Sequence, residues 1–139
     1  MCIRDRVKAL ESFPEAKAWI SFSAKDGHHT NQGETIRSCA EFLDKQDQVS
    51  AIGINCTAPQ YAASLIEEIK VATNKPIIVY PNGGGSYDAV TKTWSEDTHL
   101  DSYGKMSHHW YEAGATVIGG CCQTTPHDIA QIAQWAREL

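Results

Sequence analysis

Four short apolar runs alternate along this chain with segments of helical period, and that alternation limits the possible folds more than any single motif. The runs are AWISFS (Ala18 to Ser23), AIGINC (Ala51 to Cys56), PIIVYPN (Pro76 to Asn82) and ATVIGGCC (Ala115 to Cys122). Each is apolar through its middle rather than strictly alternating, the pattern of a strand covered on both faces. Between and after them an apolar stripe recurs at i, i+3, i+4 and i+7. It reads Ile36, Cys39, Ala40, Leu43; then Ala62, Leu65, Ile66, Ile69; then Met106, His109, Trp110, Ala113; and last Ile129, Ile132, Ala133, Ala136. One apolar face per segment means that each helix packs on something, and the sheet is the available partner. Thr125, Pro126 and Asp128 supply an N-cap, a first-turn proline and a capping-box partner, while Gly114 ends the helix before it. The order β-α, four times over, predicts an α/β fold with a parallel sheet and right-handed crossovers.

In such sheets chemistry gathers at the carboxyl ends of the strands. There the sequence places Ser21 and Ser23, then Asn55 and Cys56, then Asn82 followed by Gly83, Gly84 and Gly85, and finally Cys121 and Cys122 after Gly119 and Gly120. Three of the five cysteines thus share one rim. Cys39 belongs to a helical stripe, and Cys2 lies in a start without pattern. The histidine pairs His28-His29 and His108-His109 lack metal-ligand spacing, and the triple glycine lacks the lysine of a phosphate loop, so a flexible loop is expected there.

Composition narrows the function. The 139 residues are 42% hydrophobic with a formal charge of -5 and no basic run, which suits one soluble domain and excludes nucleic acid as an expected partner. No apolar run approaches the roughly 20 residues of a membrane helix, and a cytoplasmic location follows as the expectation. In that compartment an odd cysteine count argues for metal or thiol chemistry over a disulfide framework. Soft thiolates select zinc, and a site with three protein ligands keeps one position open. A centre already carrying three thiolates activates water poorly but suits a fourth, incoming thiolate.

The motifs GINC at Gly53 to Cys56 and GGCCQTTPHDIA from Gly119 resemble those of the homocysteine S-methyltransferases. WISFSAKDG (Trp19 to Gly27) and IVYPNGGGSYDAVTKTW (Ile78 to Trp94) resemble the branch whose methyl donor is S-methylmethionine or S-adenosylmethionine. The resemblance implies Zn2+ held by Cys56, Cys121 and Cys122, with homocysteine as the methyl acceptor and the sulfonium compound as donor. Asn55, Asn82 and Ser23, with Ser21 beside them, are the candidate substrate-binding residues. The same cysteines would also serve a betaine-dependent or a methylfolate and cobalamin-dependent enzyme, and a noncatalytic zinc or thiol module is the reading from another class. The family fold is a (β/α)8 barrel, of which four βα units, strands five to eight, are expected here in residues 9–139. Residues 1–8, which open MCIRDR, are read as an unpatterned, non-native start. Half a barrel would expose two sheet edges and its inner face, so self-association is the expected liability and loss of methyl transfer the expected consequence.

Overall fold

The computed structural model describes residues 3–85, 87–88, 90–95 and 101–139, so Cys2 lies outside the described residues. The apolar runs become strands β1 (Ala18–Phe22), β2 (Val49–Asn55), β3 (Ile77–Tyr80) and β6 (Val117–Ile118). Helices α1 (Ile3–Leu10), α2 (Ile36–Asp44), α3 (Ala62–Ala72), α4 (Tyr103–Ala113) and α5 (Pro126–Ala136) accompany them. The sheet order is β1-β2-β3-β6, and every pair is parallel. Although β6 is short, its ladder runs on past both ends: Thr116 donates to the Ile77 carbonyl, Gly119 to Val79 and Cys121 to Pro81. Strands adjacent in sequence lie adjacent in space, each βα unit beside the last, as in a segment of a (β/α)8 barrel.

One feature escaped the sequence reading. Strands β4 (Tyr87–Asp88) and β5 (Thr93–Trp94) form a separate antiparallel hairpin between β3 and α4. Strands of two residues are too short to show a period.

Ile20, Ile52, Ile54, Ile77 and Val79 form the buried face of the sheet, packed with Ile36 and Leu43 of α2, Leu65, Ile66 and Ile69 of α3, and Met106 and Trp110 of α4. The alternate residues tell a different story. Trp19 is 60% exposed and Val117 51% exposed, and with Ile78, Tyr80 and Gly119 they line an apolar groove on the opposite face. The runs alone read as covered on both faces, whereas the expected half-barrel leaves its inner face open, and among the described residues the helices cover one face. The continuous apolar runs fit a closed barrel, in which the second face points inward against other strands.

The stripes of α2 and α3 are buried at every expected position. That of α4 is rotated: Tyr103, Met106, Ser107 and Trp110 are buried, whereas His109 is exposed. The rings of Tyr103 and Trp110 meet edge to face at 5.2 Å and fix the helix by their bulk. Ser107 fits inside because its hydroxyl donates to the Gly104 carbonyl and accepts from Trp135 Nε1. In α5 only Ile132 is buried, and Ile129 is 45% exposed, because this helix packs mainly on α4. Its start is as expected, with the full capping box between Thr125 and Asp128 and Pro126 in the first turn.

Residues 3–10 form a single helix that spans residue 8. Ile3 and Val7 pack against the core one turn apart, too short a stripe to register as a period. Gln48 Nε2 ties the chain after α1 to the sheet by donating to the carbonyls of Leu10, Phe13 and Ala16. Lys75 does similar work for α2: its ammonium donates to the carbonyls of Leu43, Gln46 and Val49, matching three donors to three acceptors at the helix C-terminus.

Candidate metal centre

The strand ends converge on three thiols. Sγ atoms of Cys56, Cys121 and Cys122 all lie within 4.8 Å of one another, and those of Cys121 and Cys122 are 4.0 Å apart. A disulfide needs about 2.05 Å, so these are free thiols. A tetrahedral ion with metal to sulfur bonds of about 2.3 Å sets its sulfurs about 3.8 Å apart, so the donor set fits such an ion with small adjustments. Cys56 and Cys122 are exposed and Cys121 half-buried, which leaves a fourth direction open.

Each thiol is aimed by backbone that the sequence only partly announces. Cys56 adopts a φ of 46°, the left-handed region that non-glycine residues seldom enter, and so turns the chain sharply off the end of β2. Its amide still donates to the Tyr80 carbonyl, which holds the turn to the sheet. Gln123, at a φ of 63°, makes the matching reversal after Cys122. Thr124 closes that loop with its hydroxyl on the Cys121 carbonyl at 2.6 Å. A Cβ on Gly120 would lie 2.5 Å from the Thr124 hydroxyl oxygen, so the missing side chain of this glycine makes room for Thr124.

The first of the three glycines is tied to the cysteine loop. Gly83 donates its N–H to the Cys122 carbonyl at 2.8 Å, and a Cβ there would come within 2.2 Å of the Gln123 carbonyl oxygen. Asn82 donates its backbone N–H to Thr57, directly after Cys56. Residues 82 and 83 therefore link the arm carrying Cys56 to the arm carrying Cys121 and Cys122. Tyr103 bolts the ends of β3 and β6 together, its hydroxyl lying 3.0 Å from the carbonyls of both Pro81 and Gly119. Burial, with Asp128 and Cys121 nearby, pushes this phenol well above its ordinary range, so it remains a donor. Neither Gly83 nor Tyr103 was found from sequence, because each acts through carbonyls far away along the chain.

The predicted substrate residues divide between two places. Ser21, Ser23 and Asn55 line a cavity of about 290 Å³, closed on the other side by Thr30, Asn31 and Glu34. Asn55 directly precedes Cys56, so it stands between cavity and cluster. Partial burial of its sulfur and the neighbouring Cys121 push the Cys56 thiol up, while Asn55 opposes them. Asn82 is buried, and its Oδ1 has no hydrogen-bond partner among the described residues. Such an orphan acceptor beside a cluster of thiols is unusual in a folded chain. Among the described residues no histidine joins the cluster, and His29 bonds Asp26 while His108 faces Glu112 and the ring of Trp135.

Comparison with known proteins agrees with this geometry. Residues 2–136 match the model of the family described as homocysteine S-methyltransferase. Homocysteine S-methyltransferase YbgG of Bacillus subtilis is 54% identical over 133 residues, which are 96% of this chain and 42% of that protein. Homocysteine S-methyltransferase 4 of Zea mays is 44% identical over 124 residues, 87% of this chain and 36% of that protein. The selenocysteine methyltransferase of Astragalus bisulcatus is 41% identical over 117 residues, 83% of this chain and 35% of that protein. The chain thus spans about two fifths of the length of the curated relatives it matches. Among solved structures, the metallated form of the homocysteine methyltransferase MmuM from Escherichia coli superposes with a TM-score of 0.76 at 32% identity, covering 94% of this chain and 39% of that one. No helix among the described residues is long and apolar enough to cross a membrane.

Proposed function

Because the chain belongs to the homocysteine S-methyltransferase family, we propose that it carries the zinc and thiol-binding part of an enzyme that methylates homocysteine from a sulfonium donor, S-methylmethionine or S-adenosylmethionine. The observation behind this reading is the convergence of Cys56, Cys121 and Cys122 within 4.8 Å, with one direction left open. Cys56, Cys121 and Cys122 would hold Zn2+, and the chemistry it would supply is deprotonation of an incoming homocysteine thiol near neutral pH. The rest is positioning. Asn55 steadies Cys56 and borders the cavity with Ser21 and Ser23, which offers hydroxyls to the amino acid end of a substrate. Asn82, at the end of the third strand with its Oδ1 unpaired, is proposed as a further substrate-positioning residue.

In the transfer, homocysteine sulfur attacks the methyl carbon in line and forms the new S–CH3 bond. The old CH3–S bond breaks, its electron pair returns to the sulfonium sulfur as a neutral thioether, and the thiol proton has already gone to solvent. No general base is required of the protein once the acceptor is a thiolate. For the chain by itself we propose zinc and homocysteine binding without turnover, since Trp19 and Val117 leave the inner face of the sheet open to water. That open face and the edges β1 and β6 also favour association of two copies.

The test is direct. Purified chain loaded with Co2+ in place of zinc should show thiolate-to-metal charge-transfer absorption, and homocysteine should add to it as a fourth sulfur ligand while methionine does not. Absence of any response to homocysteine at full metal loading would sink the proposal. A second result concerns the support of the loop. Gly83→Ala should lower zinc affinity by about tenfold or more, because its Cβ must displace the Gln123 carbonyl and the adjacent Cys122. Competition against a chromophoric chelator measures it, and an unchanged affinity would show that the loop moves freely.

A further inference from the structure

The hairpin of β4 and β5 is hard to explain as packing. A two-stranded ribbon is marginal alone, yet this one is pinned at both ends. At its tip Asp88 Oδ1 accepts the N–H groups of Val90 and Thr91. At its base Gly85, with a φ of 70°, lies so close to Ser95 that a Cβ would sit 2.1 Å from the Ser95 carbonyl oxygen. What the hairpin presents is a pair of aromatic rings. Tyr87 and Trp94 face each other across the two strands with centroids 5.3 Å apart and planes tilted by 48°. Neither ring belongs to the hydrophobic core, and Tyr87 is 52% exposed.

Their position is the informative part. Trp94 packs along the backbone of Gly85, since a Cβ on that glycine would meet its ring at 3.8 Å. Gly85 is two residues from Gly83, whose N–H is bonded to the Cys122 carbonyl. Two residues span at most about 7 Å, so the base of the hairpin springs from the rim that carries the thiols. Tilted rings offer negative π faces, which attract a cation that water holds weakly. A sulfonium is such a cation, and transfer of its methyl group removes its charge, so rings that hold the donor release the neutral thioether product.

We propose that Tyr87 and Trp94 form the docking face for the sulfonium group of the methyl donor. This rests on the reading of the thiol cluster as the acceptor site, and it adds the donor's location, its charge requirement and a reason for product release. The test uses zinc-loaded chain with homocysteine present, titrated calorimetrically with S-methylmethionine, with methionine as its neutral counterpart and with glycine betaine as a quaternary ammonium. S-methylmethionine is expected to bind more tightly than either. Trp94→Leu and Tyr87→Leu should each weaken it about 5-fold to 30-fold while Trp94→Phe retains most of the affinity, and methionine binding should not change in any variant. Zinc content and the homocysteine response of each variant are measured on the same samples. The proposal is overturned if the unmodified chain shows no preference for S-methylmethionine over methionine, if betaine binds more tightly, or if both leucine variants bind the sulfonium unchanged. Failure of zinc or homocysteine binding in the unmodified chain instead removes the reading on which it rests.

Discussion

Zinc should fall from about one ion per chain to near background when Cys121 and Cys122 are both replaced by serine, as measured by atomic emission on dialysed protein. The expected loss is nearly complete because Cys56 is then a single thiol at an exposed turn, and one soft donor does not hold zinc against water. The variant should still fold. Cys122 is exposed and Cys121 half-buried, and the loop is held by bonds in which neither thiol takes part: Gly83 to the Cys122 carbonyl and Thr124 to the Cys121 carbonyl. Unfolding curves of the two metal-free proteins should therefore nearly coincide. A double variant that keeps most of its zinc would place the metal elsewhere and remove the basis of the functional reading.

The second large effect concerns the sheet. Gly53→Ala should destabilise the chain by about 3 kcal/mol or more in urea unfolding, with the denaturant slope unchanged. Gly53 pairs with Ile78 in the parallel ladder, and a Cβ there would lie 1.9 Å from the Ile78 carbonyl oxygen. Backbone inside a ladder cannot step aside as a flexible side chain can. The bridge between Ser21 and Tyr80 runs over the same place, joining β1 to β3 across β2, and it would be stretched too. A change below about 1 kcal/mol would mean that the strands separate there more easily than their pairing implies.

How much of this could be read from the chain beforehand varies with the range of the interaction. The four parallel strands, the stripes of α2 and α3 and the cap of α5 were legible because apolar period and capping chemistry are local. Cys56, Cys121 and Cys122 were legible as a set because each follows an apolar run, and parallel topology then brings the run ends together. The open sheet face was legible only through the family resemblance, which implies half a barrel, and not through the runs themselves, which read as covered on both faces. Trp19 and Val117 carry the composition of an interior, and an apolar run records burial without saying which part of a protein provides it. Gly83 and Tyr103 were missed for a related reason: they act on the carbonyls of Cys122, Pro81 and Gly119, and no side chain pattern marks a bonded carbonyl. The exposure of His109 shows the same limit within a helix, where ring packing between Tyr103 and Trp110 outweighed the period.

The left-handed turn at Cys56 bears on how tolerant the site is to change over time. A residue fixed at a φ of 46° disfavours valine, isoleucine and threonine, while asparagine, aspartate and histidine accept that backbone best. Of the residues able to ligate metals, aspartate and histidine are therefore the replacements that the main chain would admit most readily. Aspartate would substitute a hard oxygen for a soft sulfur, and histidine a nitrogen between the two in softness. Drift at this position would thus change which ions the three-residue cluster could favour before it broke the fold.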